Sequence, residues 1–268
     1  MSRRSQIIAF CILAAAVIAI VAGSGVAAGK SPAGGAGPSP LFASPSASPS
    51  PSPSPTKPPL RKPTKTKPFR VYFGGDSLAG LPGILFARRG SRTRLMKVHT
   101  DYQVSSRLTY PRPVNWPVRL PAQMKARHPE IGVFMTGAND PGMPMIVKGK
   151  FTMYPQSAWL KEYERRAERL MLVMLKRGVV RVYWVGLPVM PKKNQTNQAK
   201  RLNKLFASAA AKHSKVVYVD SFDLLATKKG GFIASFRSGD GIHFSSKGAW
   251  RIANAVWAAM KRDWSPTR

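Results

Sequence analysis

The stretch that decides the fold is VYFGGDSLAG, residues 71–80. Its first residues are the β-branched and aromatic side chains typical of a buried strand, and two glycines end that run before an Asp–Ser pair. A polar pair directly after a strand can begin a helix, with Ser77 as its N-cap, or it can hold Ser77 out as a nucleophile. Both roles use the same local geometry, so the remainder of the chain must supply a base for Ser77 or fail to supply one.

Downstream of this stretch, short apolar runs alternate with helical patterns. Apolar side chains recur at helical spacing from residue 160 to 174 and around 247–262, and residues 194–213 also read as a helix. The predicted strands are 69–73, 94–99, 131–135, 179–185 and 216–220. This alternation predicts an α/β fold, a three-layer α/β/α (flavodoxin-like) sandwich around a parallel five-stranded sheet.

Two polar loops are expected to face each other in this fold. With the strand order 2-1-3-4-5, the first and third strands are neighbours where the order reverses, and ligands bind there at the carboxyl ends of the strands. The loop after the first strand contains Ser77, and the loop after the third reads TGANDPG, residues 136–142.

Of the four histidines, one has a carboxylate at a useful distance. His99 lies in a predicted strand, His128 precedes a proline at a helix end and His213 lies near the end of a helix, so we interpret these three as structural or solvated. His243 lies in SGDGIHFSSKG, just before the last helix, with Asp240 three residues earlier. That spacing lets a carboxylate accept from the imidazole Nδ1–H while Nε2 points toward a hydroxyl.

Three blocks of the sequence resemble a known superfamily. GGDSLA (74–79), GAND (137–140) and DGIH (240–243) are similar to the signature blocks of the GDSL/SGNH hydrolases, over essentially the whole of residues 69–262. The stretch SSRLTYPRPVNWP, residues 105–117, resembles the second block of a bacterial extracytoplasmic branch, the DUF459-like proteins.

The resemblance implies a role for each site residue. Ser77 is then the nucleophile, His243 the general base and acid, and Asp240 the group that orients the imidazole. The backbone N–H of Ser77 and the side-chain amide of Asn139 form the oxyanion hole. Arg107 stands where the family has a glycine whose N–H is the third donor; an arginine disfavours the positive φ that a glycine adopts, and its guanidinium can attract an anionic substrate.

The N-terminal 29 residues predict a membrane anchor or a signal sequence. Arg3 and Arg4 precede an uncharged apolar run from residue 7 to 28, which is long enough to span a bilayer. A cleaved signal peptide is the alternative, because VAA at 26–28 resembles a cleavage site. Either reading places the remainder of the chain outside the cytoplasm, tethered to the cell membrane or secreted.

The Pro/Ser/Lys-rich residues 30–68 predict a disordered linker, and residues 69–268 the catalytic domain. From Phe69 onward the chain has 35 basic and 11 acidic residues, a formal net charge of +24. Such a field attracts polyanions. For an exported protein we expect an anionic wall polymer or a phospholipid surface as partner, and no nucleic acid.

The leading hypothesis is an extracytoplasmic serine esterase that removes short acyl groups, such as O-acetyl groups on wall or surface glycans, through an acyl-serine intermediate. No cofactor is expected, and no metal, since no cluster of His, Cys or carboxylates has ligand spacing. Two alternatives stay open. One is an O-acyltransferase, which would need a separate membrane protein as acyl donor; the other is a non-catalytic basic module that binds anionic wall polymers.

Overall fold

The central sheet has five parallel strands in the order β2-β1-β3-β6-β7. The computed structural model describes residues 58–264. In chain order these strands are β1 (Phe69–Gly75), β2 (Met96–Tyr102), β3 (Ile131–Met135), β6 (Arg181–Val185) and β7 (Val216–Val219). The predicted fold class and the 2-1-3-4-5 strand order are confirmed, because β6 and β7 are the fourth and fifth strands of this sheet.

In the described part of the chain, five α-helices cover the sheet. They are α1 (Gly80–Thr93), α2 (Trp116–Arg127), α3 (Ser157–Lys176), α4 (Lys193–Ala211) and α5 (Ser246–Trp264). Helix α1 packs against α5, while α2 and α4 both pack against α3, as the two outer layers of an α/β/α sandwich require. Every residue of β3 and β6 is buried, which explains why these strands appear in the sequence as unbroken apolar runs.

A small hairpin interrupts the crossover from β3 to α3. Strands β4 (Met145–Val147) and β5 (Lys150–Thr152) pair antiparallel outside the main sheet. Ile146 and Phe151 lie opposite each other and are 69% and 68% exposed, while Met145 is buried. Runs of three residues are too short for a sequence pattern to predict, and no such hairpin was expected.

The last part of the predicted linker packs on the domain. Arg61 Nη2 donates to both carboxylate oxygens of Glu130, at 2.8 Å to Oε1 and 2.9 Å to Oε2. The Arg61 guanidinium also stacks on the ring of Phe69, 4.2 Å from its centre. The backbone N–H of Leu60 donates to the carbonyl of Asp263 at 3.0 Å. Residues 58–68 are therefore bound to the domain, although the sequence assigned them to the linker.

Within residues 58–264, no helix combines the length and the apolar content needed to cross a bilayer. The predicted anchor or signal sequence at 1–29, and the linker up to residue 57, lie outside the described residues.

Candidate active site

Ser77 lies at the carboxyl end of β1, in a turn that only glycine permits. Gly75 has φ +143°, and a Cβ at this position would come 1.8 Å from the carbonyl oxygen of Met135 on β3. The chain then enters a short 3-10 turn, residues 77–79, whose N-cap is Asp76. The alternative reading of Ser77 as the N-cap is therefore wrong, because the residue before it caps the turn.

The Asp76 carboxylate joins the loops that follow β1 and β3. It is fully buried and accepts hydrogen bonds from the backbone N–H groups of Leu78 and Gly137, both at 2.9 Å. Burial raises the pKa of Asp76 to about 6, and these N–H donors oppose that rise. The contact holds Ser77 beside the loop that contains Asn139.

Asp140 joins the β3 loop to the loop after β2 in the same way. Its buried Oδ1 accepts from the backbone N–H groups of Leu108 and Thr109 at 2.7 and 2.8 Å, and its Oδ2 accepts from the Tyr163 hydroxyl at 3.0 Å. Burial raises the pKa of the Asp140 carboxyl, and the hydrogen bonds oppose that rise. Two buried carboxylates thus hold three loops together.

Three N–H donors in these loops have no acceptor within residues 58–264. One N–H of the Asn139 side-chain amide donates a hydrogen bond to the carbonyl of Ser106 at 3.0 Å, and the other N–H of this amide is free. The backbone N–H groups of Ser77 and Arg107 likewise have no acceptor in this part of the chain. An oxyanion hole requires free N–H donors on loops that are held rigidly in place.

Arg107 occupies the position expected from the sequence but without the expected backbone strain. The residue with positive φ in this loop is Ser105, at 57°, and Arg107 is not among the left-handed residues. The concern that an arginine would disfavour the backbone conformation of the family glycine is therefore not realised here. The Arg107 side chain lines a cavity of about 180 Å³ together with Arg165, Arg166 and Arg169.

Asp240 and His243 form the second half of the candidate site. The Asp240 Oδ2 lies 2.5 Å from Nδ1 of His243, and Asp240 Oδ1 accepts from the His243 backbone N–H at 2.9 Å and from the Ser238 hydroxyl at 2.8 Å. Partial burial would raise the pKa of Asp240, but the hydrogen bonds from His243 and Ser238 outweigh it and hold the pKa well below its usual range. A carboxylate that accepts Nδ1–H leaves Nε2 of His243 as the basic nitrogen.

Both halves of the candidate site lie at the same pole of the domain, the one formed by the carboxyl ends of the strands. Helix α1 begins at this pole, after the short turn that contains Ser77, and packs beside α5, where the rings of Phe86 and Trp257 are 5.7 Å apart. The far end of α5 reaches the amino end of β6, since Asp263 lies 3.3 Å from Arg181. The loop that precedes α5 therefore opens at the carboxyl ends of the strands, as Ser77 does.

Within residues 58–264, no hydrogen bond joins the Ser77 hydroxyl to the His243 ring. The structure brings Ser77, Asn139 and the Arg107 loop together, and it brings Asp240 and His243 together, but the two groups are not bonded to each other. His243 and Asp240 have side chains 46% and 48% exposed, so solvent reaches the histidine directly.

The fold of this chain is similar to that of several enzymes with solved structures. A GDSL-like lipase from Bacteroides thetaiotaomicron matches at 15% identity, covering 76% of this chain and 92% of the lipase, with a TM-score of 0.51. An acetyl-xylooligosaccharide esterase from Geobacillus stearothermophilus matches at 14% identity, covering 75% and 97%, also with a TM-score of 0.51. An α/β-hydrolase enzyme from the metagenome of Lake Arreo matches at 17% identity, covering 72% and 94%, with a TM-score of 0.52.

The α/β/α sandwich of this protein has the same fold as these GDSL-type lipase and esterase structures. The family described as "Protein of unknown function (DUF459)" matches residues 70–259, and the chain belongs to it. No curated protein matches the chain.

Two buried acidic residues of the candidate site were not predicted from the sequence. Asp76 and Asp140 both stand inside the quoted blocks, next to Ser77 and Asn139, yet only their neighbours were given roles. The position of Asp76 offered a signal, since an acidic side chain directly after a buried strand has few partners other than the N–H groups of the adjacent loops. Asp140 lies farther along the loop after β3, and its position offered no such signal.

Proposed function

We propose that this protein is a serine ester hydrolase of the SGNH type, with Ser77 as nucleophile. The observation that carries the proposal is the Asp240–His243 hydrogen bond, which fixes Nε2 as the basic nitrogen at the same pole as an unbonded serine hydroxyl. Apo sites often have catalytic hydrogen bonds that form only with substrate bound.

In the first step, Ser77 Oγ attacks the ester carbonyl carbon and its proton passes to Nε2 of His243. The carbonyl oxygen becomes an oxyanion, which accepts from the free N–H groups of Ser77, Asn139 and Arg107. Collapse breaks the bond to the alcohol, and the imidazolium returns the proton to the leaving oxygen. Asp240 stabilises the imidazolium while it carries that proton.

In the second step, water replaces the alcohol. Nε2 takes a proton from the water, the hydroxide attacks the acyl-serine carbonyl, and the oxyanion forms again in the same hole. Collapse releases the carboxylic acid and restores Ser77 with its proton from His243. The three donors act twice in each turnover, and the loss of one costs about 10²–10³ in rate.

The substrate class that we propose is a short acyl ester on a glycan outside the cytoplasm. Support for the acyl group comes from the Geobacillus esterase, which acts on acetylated xylo-oligosaccharides and of which two other structures are described as catalytic mutants, one with a serine and one with a histidine replaced by alanine. Support for the location comes from the apolar run at residues 7–28. A cell-membrane tether or secretion both fit that run.

The test is covalent labelling of the full-length chain with a fluorophosphonate, read by intact mass. One label is expected on the wild type, none on Ser77→Ala, and labelling at least about a hundredfold slower on His243→Ala. His213→Ala is the matched control: His213 contacts Glu168 at 2.8 Å, away from the site, and its loss should leave labelling unchanged.

Hydrolysis of acetylated oligosaccharides then separates the alternatives. A hydrolase releases free acetate, an acyltransferase moves the acetyl group to an added sugar acceptor, and a binding module does neither. Equal labelling of Ser77→Ala and wild type would refute Ser77 as nucleophile. Absence of any label on the wild type, together with no release of acetate, would refute the hydrolase altogether.

A further inference from the structure

A basic groove lies at the opposite pole of the domain from the candidate active site. It has a volume of about 680 Å³ and follows the amino ends of β1 and β2, between the C-terminal ends of α1 and α2. Ser77 comes six positions after Val71 of the groove, which corresponds to about 20 Å of extended chain. The basic side chains in its lining are Lys65, Arg70, Arg94, Lys97, His99 and Arg127.

Among the described residues no carboxylate lines this groove, and the two acidic residues that follow its lining residues in sequence are each paired with an arginine outside it. Glu130 follows the groove residue Pro129 and is paired with Arg61 at 2.8 Å, while Asp101 on β2 is paired with Arg119 at 2.6 Å. Within residues 58–264, none of the groove's lysines and arginines forms a salt bridge. Their charges therefore add to one field.

Ordinary structural roles explain part of this charge. Arg94 and Arg127 lie at the C-terminal ends of α1 and α2, where a cation stabilises the helix dipole, and Arg70 donates to the carbonyl of His128 at 2.6 Å. Lys97 on the free edge of β2 opposes pairing with another strand. None of these roles requires so many unpaired cations to surround one groove.

We propose that this groove binds a linear polyanion with repeating phosphate or carboxylate groups. The cations project from β1, β2 and both helix ends around a concave space, so they can contact successive anionic groups along a chain. A flat bilayer would reach only the rim, and the large exposed apolar side chains needed for insertion lie elsewhere, as at Ile146 and Phe151. Bound there, the polymer would keep the crevice at the other pole open.

The test measures binding of inorganic polyphosphate, polygalacturonate and phosphatidylglycerol vesicles to the full-length chain over a range of salt. The groove variant carries Arg94→Gln, Lys97→Gln and Arg127→Gln, all at exposed positions. A control variant removes the same charge from exposed positions elsewhere and carries Lys228→Gln, Lys229→Gln and Lys261→Gln.

The groove variant should bind one of the two polymers about tenfold or more weakly, and the slope of log affinity against log salt should fall by about two to three. The control should lose far less. Equal losses in both variants would overturn the proposal, since net charge alone would then explain binding. Tight binding to vesicles without binding to either polymer would also overturn it. Unchanged melting temperatures exclude unfolding as a cause, and the two polymers distinguish phosphate from carboxylate.

Discussion

The replacement Asp140→Ala tests whether buried carboxylates hold the oxyanion hole in place. It removes the acceptor for the backbone N–H groups of Leu108 and Thr109 and for the Tyr163 hydroxyl. Burial raises the pKa of Tyr163, so this hydroxyl stays protonated and remains a donor. Each buried donor left without an acceptor costs about 1–3 kcal/mol. With water entering the vacated space, we expect a loss of about 3 kcal/mol or more in the free energy of unfolding.

The same change should reduce the rate of ester hydrolysis. The Leu108 and Thr109 contacts fix the loop that presents the Arg107 N–H, so loosening this loop weakens one oxyanion donor. A donor lost completely costs about 10²–10³ in kcat, with little effect on KM if substrate binding is separate from the hole. The assays are urea unfolding followed by tryptophan fluorescence, and steady-state hydrolysis of p-nitrophenyl acetate.

Two variants give the controls. Asp140→Asn keeps Oδ1 as an acceptor for both backbone N–H groups, and the Tyr163 hydroxyl can accept from the new amide, so stability and rate should stay near wild type. Tyr163→Phe removes one hydrogen bond and should cost about 1 kcal/mol with no change in kcat. If Asp140→Ala were as stable and active as the wild type, or if Asp140→Asn were equally damaged, the reasoning would be refuted.

Three further predictions concern the same loops. Gly75→Ala should prevent folding or lower the melting temperature strongly, because the new Cβ would collide with the Met135 carbonyl. The control is Gly142→Ala, at φ +90° with open space around it, which should lower the free energy of unfolding by only about 1–3 kcal/mol through backbone strain. Folding raises the pKa of Asp76 from 3.8 to about 6, so the protonated carboxyl stabilises the folded state fully below pH 3.8. About 3 kcal/mol of this stability is lost as the pH rises through 6. Urea unfolding at pH 4 and pH 7 measures the loss, and equal stability at both pH values would contradict the prediction. Asp240→Asn should lower kcat by about 10²–10⁴, since an amide no longer fixes the histidine tautomer; an unchanged kcat would exclude that role.

The sheet could be predicted from the sequence because its strands are buried on both faces. The predicted third strand, 131–135, matches β3 residue for residue, and 216–220 differs from β7 by one residue. Helix α1 was not predicted from the sequence, and glycines take several of its buried positions. Gly83 lies against Phe73, and Gly90 against Met96, where a Cβ would sit 3.1 Å from either side chain.

The candidate site could be predicted in its parts but not in its connections. The order of three motifs located Ser77, Asn139 and Asp240 with His243, and the structure places them at one pole. Which acidic side chain is buried depends on packing between distant loops, so the role of Asp140 cannot be predicted from a linear pattern. For Asp76 the only signal is its position directly after β1. The same holds for Arg61, whose partner Glu130 is 69 residues away.

The contacts of residues 58–68 have a mechanical consequence. The chain joins the domain at the amino ends of the strands: the guanidinium of Arg181, the first residue of β6, bonds the carbonyl of Pro58, and Arg61 pairs with Glu130 just before β3. A pulling force on the chain from upstream of residue 58 is therefore resisted by an ion pair and a buried guanidinium, far from the loops of the candidate active site. The crevice can keep its geometry while the polypeptide ahead of it is under load.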